Sequence, residues 1–179
     1  MSEILKTPRG ELNIRTAEAS DLKAFKKLRL QALRDHPVAF SADYEVHRKA
    51  DDGFWKNYFD FEGAATIYLG FHEDDPIGMT GVRLDYSPKT RHSALIWGVY
   101  VRPEWRGHQI AEALIRACLE WAKSEGATIA KLGVAATNES AIRCYQRCGF
   151  ETYGVEPKSL RYEGIYYDEY LMSRSLDDL

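Results

Sequence analysis

"VRPEWRGHQIAEALI" (residues 101–115) is the stretch of sequence that decides the fold. It starts at the end of the apolar run "IWGVYV" (96–101), which is typical of a central strand because both of its faces are apolar. From Ile110 onward, apolar residues recur at helical spacing. A strand that leads through a short turn into a helix presents the unpaired amides and the positive dipole end of that helix to a ligand.

The residues of this turn favour an anion as the ligand. Gly107 allows close approach to the backbone, and amides at a helix N-terminus bind phosphate readily. A plain strand–helix junction with Arg106 on the surface accounts for the same residues equally well. Taken alone, the stretch leaves both a phosphate-binding turn and a structural turn open.

The chain before this stretch predicts a strand, helices and more strands. "ELNIRTA" (11–17) alternates like a half-buried strand. A helix is predicted from about Ser20, whose side chain can cap it, to a stop before Pro37. The acidic and aromatic segment "FSADYEVHRKADDGFWKNYFDF" (40–61) predicts one or two short helices around Gly53. Short turns then join three strands of an antiparallel meander, at 64–71, 76–86 and 93–101.

The chain after the turn alternates helices and strands. The helix that begins near Ile110 is predicted to end at Gly126, a favourable C-terminal residue. The segments that follow are a strand at 128–136, a helix at 138–147 and strands at 149–155 and 164–176. The resulting order is mixed α/β, with a strand–helix–strand crossover in the second half.

Length and composition predict one globular domain and exclude several classes of protein. The chain has 179 residues, of which 45% are hydrophobic and 28% charged, a balance that argues against disorder. A net charge of −3 gives no reason to expect a nucleic acid or an anionic membrane as a partner. The apolar run 94–101 is too short to span a bilayer, and residues 1–12 lack the features of an export signal.

The three cysteines, Cys118, Cys144 and Cys148, are an odd number in a chain of ordinary size. Reduced thiols and a cytoplasmic location are therefore expected. Cys144 and Cys148 would share a helical face, but a zinc site needs more ligands and no histidine stands nearby in sequence. We expect buried thiols and no metal site.

The anion-binding turn matches no nucleotide-binding loop but resembles that of an acyltransferase family. The sequence contains neither G-x-x-x-x-G-K-[ST] nor G-x-G-x-x-G. "RGHQIA" resembles the R/Q-x-x-G-x-G/A turn of the GCN5-related N-acetyltransferases (GNAT), with Arg106 first and Ala111 last. Gln109 replaces the middle glycine. Binding through the main chain tolerates a side chain at this position if its φ is negative.

A second stretch, "NESAIRCYQRCGF" (138–150), matches the GNAT pattern N-x-x-A-x-x-x-Y-x-x-x-G-F at every specified position. Asn138 and Tyr145 are two helical turns apart, so they face the same groove. Gly149 would end the helix and Phe150 would begin a core strand. A purely structural role for Tyr145 remains the alternative.

This resemblance, which covers about residues 11–175, implies a GNAT fold in a single domain. The expected architecture is a twisted, mostly antiparallel sheet of about seven strands with flanking helices. Two central strands, "WGVYV" and "KLGVAA", would splay apart, with Gly98 marking a bulge that opens the gap. The implied activity is transfer of an acetyl group from acetyl-CoA to an amine without a metal.

The resemblance also implies the site residues. A backbone amide of the first splayed strand would stabilise the oxyanion, and Tyr145 would be the catalytic acid that protonates the departing thiolate. Asn138 would hold the cofactor or its bound water, whereas His108 would touch phosphate or solvent. The implied cofactor-binding residues are Val99, Tyr100, Val101, Arg106, Gly107, His108, Gln109, Ile110, Ala111, Asn138 and Tyr145.

The acceptor side is open to more interpretations. Five residues of segment 40–61 could hold an amine through charge and cation–π contacts, or could belong to a solvated helix pair. These residues are Asp43, Tyr44, Glu45, Trp55 and Tyr58. The central strand carries no carboxylate, so the general base is undecided, and a water chain to Glu45, Glu156 or Asp168 is the working hypothesis.

The predicted partner is a small-molecule amine or a peptide, and a homodimer is left open. The negative net charge favours a small cation over an acidic metabolite. The rival to an enzyme is a GNAT-like module that senses acyl-CoA without turnover. The Asn138–Tyr145 pair favours the enzyme, whereas Gln109 and the lack of a carboxylate on the central strand leave room for the rival.

Overall fold

The computed structural model describes residues 2–59 and 64–179. Within these ranges the chain forms five α-helices and eight strands. The helices are α1 (Leu22–Asp35), α2 (Tyr44–Lys49), α3 (Asp52–Lys56), α4 (Ile110–Ser124) and α5 (Glu139–Arg147). The strands are β1 (Ser2–Thr7), β2 (Gly10–Thr16), β3 (Ala65–His72), β4 (Asp75–Leu84), β5 (Ser93–Val101), β6 (Ile129–Ala135), β7 (Glu151–Tyr162) and β8 (Ile165–Ser175).

The strands form one sheet in the order β1-β2-β3-β4-β5-β6-β8-β7. Every neighbouring pair is antiparallel except β5 and β6, so the predicted mixed α/β fold with a mostly antiparallel sheet is confirmed. The sheet has one strand more than the expected seven because β1 pairs with β2 in a hairpin. This strand escapes the sequence pattern because it is an edge strand on which Ile4 is exposed.

The predicted splay of the central strands is also confirmed. β5 and β6 pair in parallel only at their first residues. The pairing begins at Ser93 with Ile129 and ends at Leu95 with Lys131. The crossover through α4 makes the parallel pairing possible. Beyond Leu95 the two strands part, and their backbones face a gap.

Gly98 lies at the irregularity in β5 that the sequence predicted. The register between β4 and β5 shifts between Met79, which faces Tyr100, and Gly81, which faces Trp97. Gly98 has a φ of +69°, a conformation that side chains disfavour. The extra residue bends β5 away from regular pairing, next to the gap.

The buried side chains form one apolar cluster on each face of the sheet. On the α4 and α5 face, Leu114 and Phe150 pack against strand residues such as Ile96. On the α1 and α3 face, Phe25 and Trp55 form the core. Helices α1 and α4 bury their apolar stripes against the sheet, and this burial is the main stabilising contribution.

The start of α1 differs from the prediction. Ser20 does not cap the helix: it lies in a 3-10 turn (Ala19–Asp21), and α1 begins at Leu22. The Asp21 carboxylate accepts hydrogen bonds from Arg15 at 2.7 and 2.9 Å and from the Glu18 amide at 2.8 Å. This ion pair with β2 therefore determines how the chain enters the helix.

The two short helices predicted for segment 40–61 are confirmed as α2 and α3 as far as residue 59, and its last residues lie outside the described ranges. Asp43 and Asp51 cap them by accepting hydrogen bonds from backbone amides. No helix in the described parts of the chain is long and apolar enough to cross a membrane.

Candidate active site

A cavity of about 530 Å³ opens where β5 and β6 part, and we call it the central cavity. Its lining includes residues of both core clusters, such as Tyr100 from the α1 face and Val134 from the α4 face. The cavity is therefore lined from both sides of the sheet. It brings together all but one of the predicted cofactor-binding residues: Val99, Tyr100, Val101, Arg106, Gly107, Gln109, Ile110, Ala111, Asn138 and Tyr145. His108 is half-buried and does not line it.

The turn before α4 leaves backbone amides facing the cavity mouth. The first hydrogen bond of the helix runs from the Ala113 amide to the Gln109 carbonyl at 3.0 Å. The amides of Ile110, Ala111 and Glu112 therefore have no intrahelical acceptor. These amides and the helix dipole favour an anion at this end of the cavity.

Gln109 does not have the negative φ under which a side chain fits this turn without strain. Its φ is +58° and its ψ is 20°, a left-handed conformation that a glycine would adopt at lower cost. Gly107 also has a positive φ, +82°. The turn thus keeps the backbone conformation that is typical of the glycine-containing pattern. Gln109 adopts it at a cost in conformational free energy.

The Arg106 side chain lies across the end of β5. Its Nε donates to the Val101 carbonyl at 3.0 Å, and its Nη2 lies 2.8 Å from His36 Nε2. Burial lowers the pKa of His36, and the Arg106 charge lowers it further, so the neutral imidazole accepts this hydrogen bond. The guanidinium is thereby held at the same end of the cavity as the free amides.

The α5 residues stand as their spacing predicts. Asn138 caps the helix by accepting a hydrogen bond from the Ala141 amide at 3.3 Å, and both Asn138 and Tyr145 line the central cavity. Tyr145 is 8% exposed, and burial raises the pKa of its phenol above the usual 10. Tyr145 therefore stays protonated near neutral pH and can act as a donor. Gly149, at a φ of +83°, follows the helix end.

The five predicted acceptor-binding residues do not line the central cavity. Asp43 caps α2, and Glu45 forms ion pairs with Arg48 and Lys49. Tyr44 is half-buried beside them. Trp55 is 0% exposed in the core, and Tyr58 stacks on it at a centroid distance of 5.8 Å. His36, Phe40 and Trp97 line the central cavity instead.

None of the three carboxylates considered as a base lines the cavity. Asp168 accepts a hydrogen bond from the Lys158 amide at 2.7 Å, and the pKa of Glu45 is lowered by Arg48. Glu169, which was not among the carboxylates considered from the sequence, lies near a lining residue. Its Oε2 would be 3.5 Å from a β-carbon at Gly133, a residue that lines the cavity.

Arg29 is a second residue that sequence reasoning missed. It lies on α1, 6% exposed, and its guanidinium carbon is 5.0 Å from the Phe40 ring centroid and 5.9 Å from that of Trp97. Burial lowers the pKa of Arg29, and the Tyr58 hydroxyl offsets part of this effect. Arg29 occupies a position on the buried face of α1, and this position was the signal available in the sequence. It was overlooked because the buried face of a helix is recognised by its apolar residues, and Arg29 is charged.

The cysteines are free thiols in this structure. Cys118 and Cys144 are buried and Cys148 is half-buried, and Cys144 lines the cavity beside Tyr145. Among the residues that the structure describes, no three histidine, cysteine or acidic side chains are grouped so as to hold a metal ion.

Comparison with known proteins agrees with this geometry. The profile of the Acetyltransferase (GNAT) family matches residues 29–150. The L-amino acid N-acetyltransferase AaaT of Escherichia coli (strain K12) is 26% identical over 169 residues, which cover 92% of this chain and 98% of that protein. An aminoglycoside N(6')-acetyltransferase type 1 of Stenotrophomonas maltophilia is 29% identical over 143 residues, covering 77% of this chain and 85% of that protein.

Solved structures share the fold. The structure of yncA from Salmonella typhimurium with its cofactor acetyl-CoA superposes with a TM-score of 0.81 at 20% identity, covering 94% of this chain and 95% of that one. The N-acetyltransferase from Staphylococcus aureus Mu50 has a TM-score of 0.81 at 19% identity, covering 93% and 99%. With its family profile and its splayed sheet in agreement, the chain belongs to the GNAT family of acetyl-CoA-dependent N-acetyltransferases.

Proposed function

We propose that the protein transfers the acetyl group of acetyl-CoA to a primary amine of a small molecule or peptide by direct attack. The observation that carries this proposal is the central cavity, which is lined from both faces of the sheet. One face offers free helix amides to an anionic donor. The other leaves room for an acceptor to meet the donor in the gap between β5 and β6.

The donor would be held by the predicted cofactor-binding residues. The pyrophosphate would bind at the turn 106–111, and the pantetheine arm would lie along residues 99–101, where β5 has no partner on its β6 side. Asn138 would contact the arm or its bound water. His108 would contribute its backbone, since its side chain does not line the cavity.

The chemistry follows from an already activated thioester. The neutral amine attacks the carbonyl carbon, and a backbone amide of β5 stabilises the negative charge that develops on the carbonyl oxygen. The carbon–sulfur bond then breaks, the thiolate takes a proton from Tyr145, and the nitrogen of the new amide gives up its extra proton, which restores the phenol through water. Burial raises the pKa of Tyr145, so the phenol still carries its proton at neutral pH when the thiolate forms.

The amine must lose a proton before it attacks, and we propose Glu169 as the acceptor of this proton, directly or through water. Its carboxylate stands behind Gly133, a lining position without a side chain, and accepts a hydrogen bond from Ser159 Oγ at 2.7 Å. A carboxylate on this side would also attract the ammonium form of the substrate.

Other features of the proposal rest on less specific support. Related proteins are named as acetyltransferases of amino acids, an aminoglycoside and spermidine, which supports a small amine as the acceptor. The three free thiols support a cytoplasmic location. The single sheet that runs from β1 to β8 supports one domain.

The test is a screen of free CoA release from acetyl-CoA across amino acids, polyamines, aminoglycosides and peptides. Release that depends on an amine, with the N-acetyl product identified by mass, is the expected result. Acetyl-CoA binding without turnover on any amine would indicate the non-catalytic sensor instead. Absence of a thermal shift with saturating CoA would contradict the binding site itself, because ligand at a hundredfold excess over Kd stabilises by about 2.7 kcal/mol.

A further inference from the structure

The guanidinium of Arg29 is buried without the partners that a charged group needs. Its Nε and Nη1 atoms have no hydrogen-bond partner among residues 2–59 and 64–179. Its close neighbours include the Tyr58 hydroxyl and the aromatic rings of Phe40 and Trp97. Burying a charge costs free energy unless an opposite charge or hydrogen bonds compensate it. Nε and Nη1 lie on different edges of the guanidinium, and a buried charge with a free donor on each edge indicates a site for an anion.

The Arg29 guanidinium lies next to residues that line the central cavity. Phe40, Trp97 and Gly98 all line the cavity. Gly98 is the glycine of β5, and a β-carbon there would be 3.4 Å from Arg29 Nη1. Arg29 Nη1 is the one heavy atom found within 4 Å of that position among the described residues outside the chain neighbours of Gly98, so no other side chain stands between the guanidinium and this lining residue.

The position of Arg29 distinguishes its anion from the phosphates of CoA. Phe40 and Trp97 pack against the cluster on the α1 face of the sheet. The free amides at the start of α4 belong to the opposite face, where Ile110 packs. An anion at Arg29 is therefore on the acceptor side. The free Nη1, which is the donor nearest to Gly98, can give a carboxylate a charge-assisted hydrogen bond, so a carboxylate fits this position.

We propose that Arg29 binds the carboxylate of the acceptor, and that the acceptor is an amino acid. This inference rests on the proposed function, because it adds a second functional group to the molecule whose amine is acetylated. Arg29 stands behind Gly98 of β5, and Glu169 stands behind Gly133 of β6. Charges of opposite sign behind the two splayed strands match a molecule that carries both a carboxylate and an ammonium group.

The test compares wild type with Arg29→Met on L-amino acids and on the amines that lack only the carboxylate, such as L-phenylalanine and 2-phenylethylamine. Wild type should prefer the amino acid by at least about tenfold in kcat/KM, the effect of a hydrogen-bonded charge pair. Arg29→Met should remove this preference while changing turnover of the simple amine by less than about threefold. Arg34→Gln removes an exposed arginine of the same helix and is the matched control.

Two further measurements keep a loss of folding from imitating the result. The Tm of Arg29→Met should be no lower than that of wild type, since an apolar side chain replaces an unpaired buried charge. Calorimetry with N-acetyl-L-phenylalanine and CoA measures carboxylate binding without turnover, and the variant should lose at least about tenfold in affinity.

The outcomes separate this inference from the proposed function. Binding of the N-acetyl amino acid that depends on Arg29, in a protein that acetylates no amine, would refute the proposed function and uphold the carboxylate site. Turnover of amines with no preference for the carboxylate, or no binding of the N-acetyl amino acid to wild type, would overturn the role of Arg29. A variant of lower Tm that loses both substrates equally would also overturn it in favour of a structural role.

Discussion

Tyr145 stands on α5 at the wall of the central cavity, where burial raises the pKa of its phenol. If it donates the proton to the thiolate, Tyr145→Phe should lower kcat by about 10²–10⁴. Acetyl-CoA affinity should change little, because the ring remains. Steady-state turnover and calorimetry measure the two effects. Wild-type turnover in the variant at every pH would mean that water or another group supplies the proton.

Glu169 gives a prediction with a pH signature. Glu169→Gln should lower kcat/KM by about tenfold or more near pH 7, where an alkylamine of pKa near 10 is almost wholly protonated. The deficit should shrink toward pH 9, because free amine then forms without help. A pH profile of the two enzymes measures this convergence. Glu156→Gln, an exposed neighbour on β7, is the control, and a deficit that does not vary with pH would exclude proton transfer.

At the residue scale, the donor side was predictable and the acceptor side was not. Arg106, Tyr145 and their neighbours belong to two contiguous stretches, each with its own helix start, so spacing in sequence carries the geometry. Arg29 and Glu169 belong to α1 and β8, and only tertiary packing brings them next to residues that line the cavity. The acids of segment 40–61 were misleading because they cap helices and pair locally.

At the scale of elements, the start of α4 combines the turn at which we propose that the pyrophosphate binds with a strained residue. Gln109 holds a left-handed conformation that costs a non-glycine residue about 1–2 kcal/mol. Gln109→Gly removes this strain but adds about 0.5–1 kcal/mol of backbone entropy to be lost on folding. The free energy of unfolding should therefore rise slightly, by up to about 1 kcal/mol.

Denaturant unfolding of Gln109→Gly and Gln109→Ala checks this expectation. Alanine keeps the strained φ, so it should not gain stability, and it serves as the matched control. Acetyl-CoA affinity of the glycine variant should equal or exceed that of wild type, since the backbone becomes easier to approach. A glycine variant less stable than the alanine variant would show that the turn is not strained in solution.

Helices and strands were predictable where an apolar period or a terminal residue marks them. The splay after Leu95 and the bulge at Gly98 followed from the family resemblance, and both are present. The hairpin of β1 was missed because its strand is short and exposes Ile4 at the sheet edge. The start of α1 was misjudged because Asp21 pairs with Arg15, a contact between elements that local capping preferences cannot include.

At the scale of the whole molecule, stability should fall in mild acid. His47 is 6% exposed; its Nδ1 donates to the Asp43 carbonyl at 2.9 Å, so its Nε2 accepts from Tyr58 at 3.0 Å. Burial lowers its pKa, so the folded state binds a proton less readily than the unfolded chain. The contribution of neutral His47 is complete above about pH 6.5 and is lost as the pH falls toward its lowered pKa.

Unfolding free energies measured from pH 7.5 to 5 check this dependence. The loss attributable to His47 can reach about 1.4 kcal/mol per pH unit in that window. His47→Gln should flatten the slope without abolishing it, because burial lowers the pKa of His36 as well. The exposed His92→Gln is the control. An unchanged slope in His47→Gln would mean that the pKa of His47 is the same in the folded and the unfolded chain.

The short pairing between β5 and β6 has a mechanical consequence. The eight strands divide there into a five-stranded and a three-stranded panel, joined along the sheet by the register from Ser93 to Leu95. Beyond Leu95, the backbones of the two panels do not support each other. A pantetheine chain bound between them would connect the two panels where β5 and β6 do not pair with each other. Binding of the donor would then make the walls of the acceptor site more rigid. This effect favours an order in which the donor binds before the acceptor.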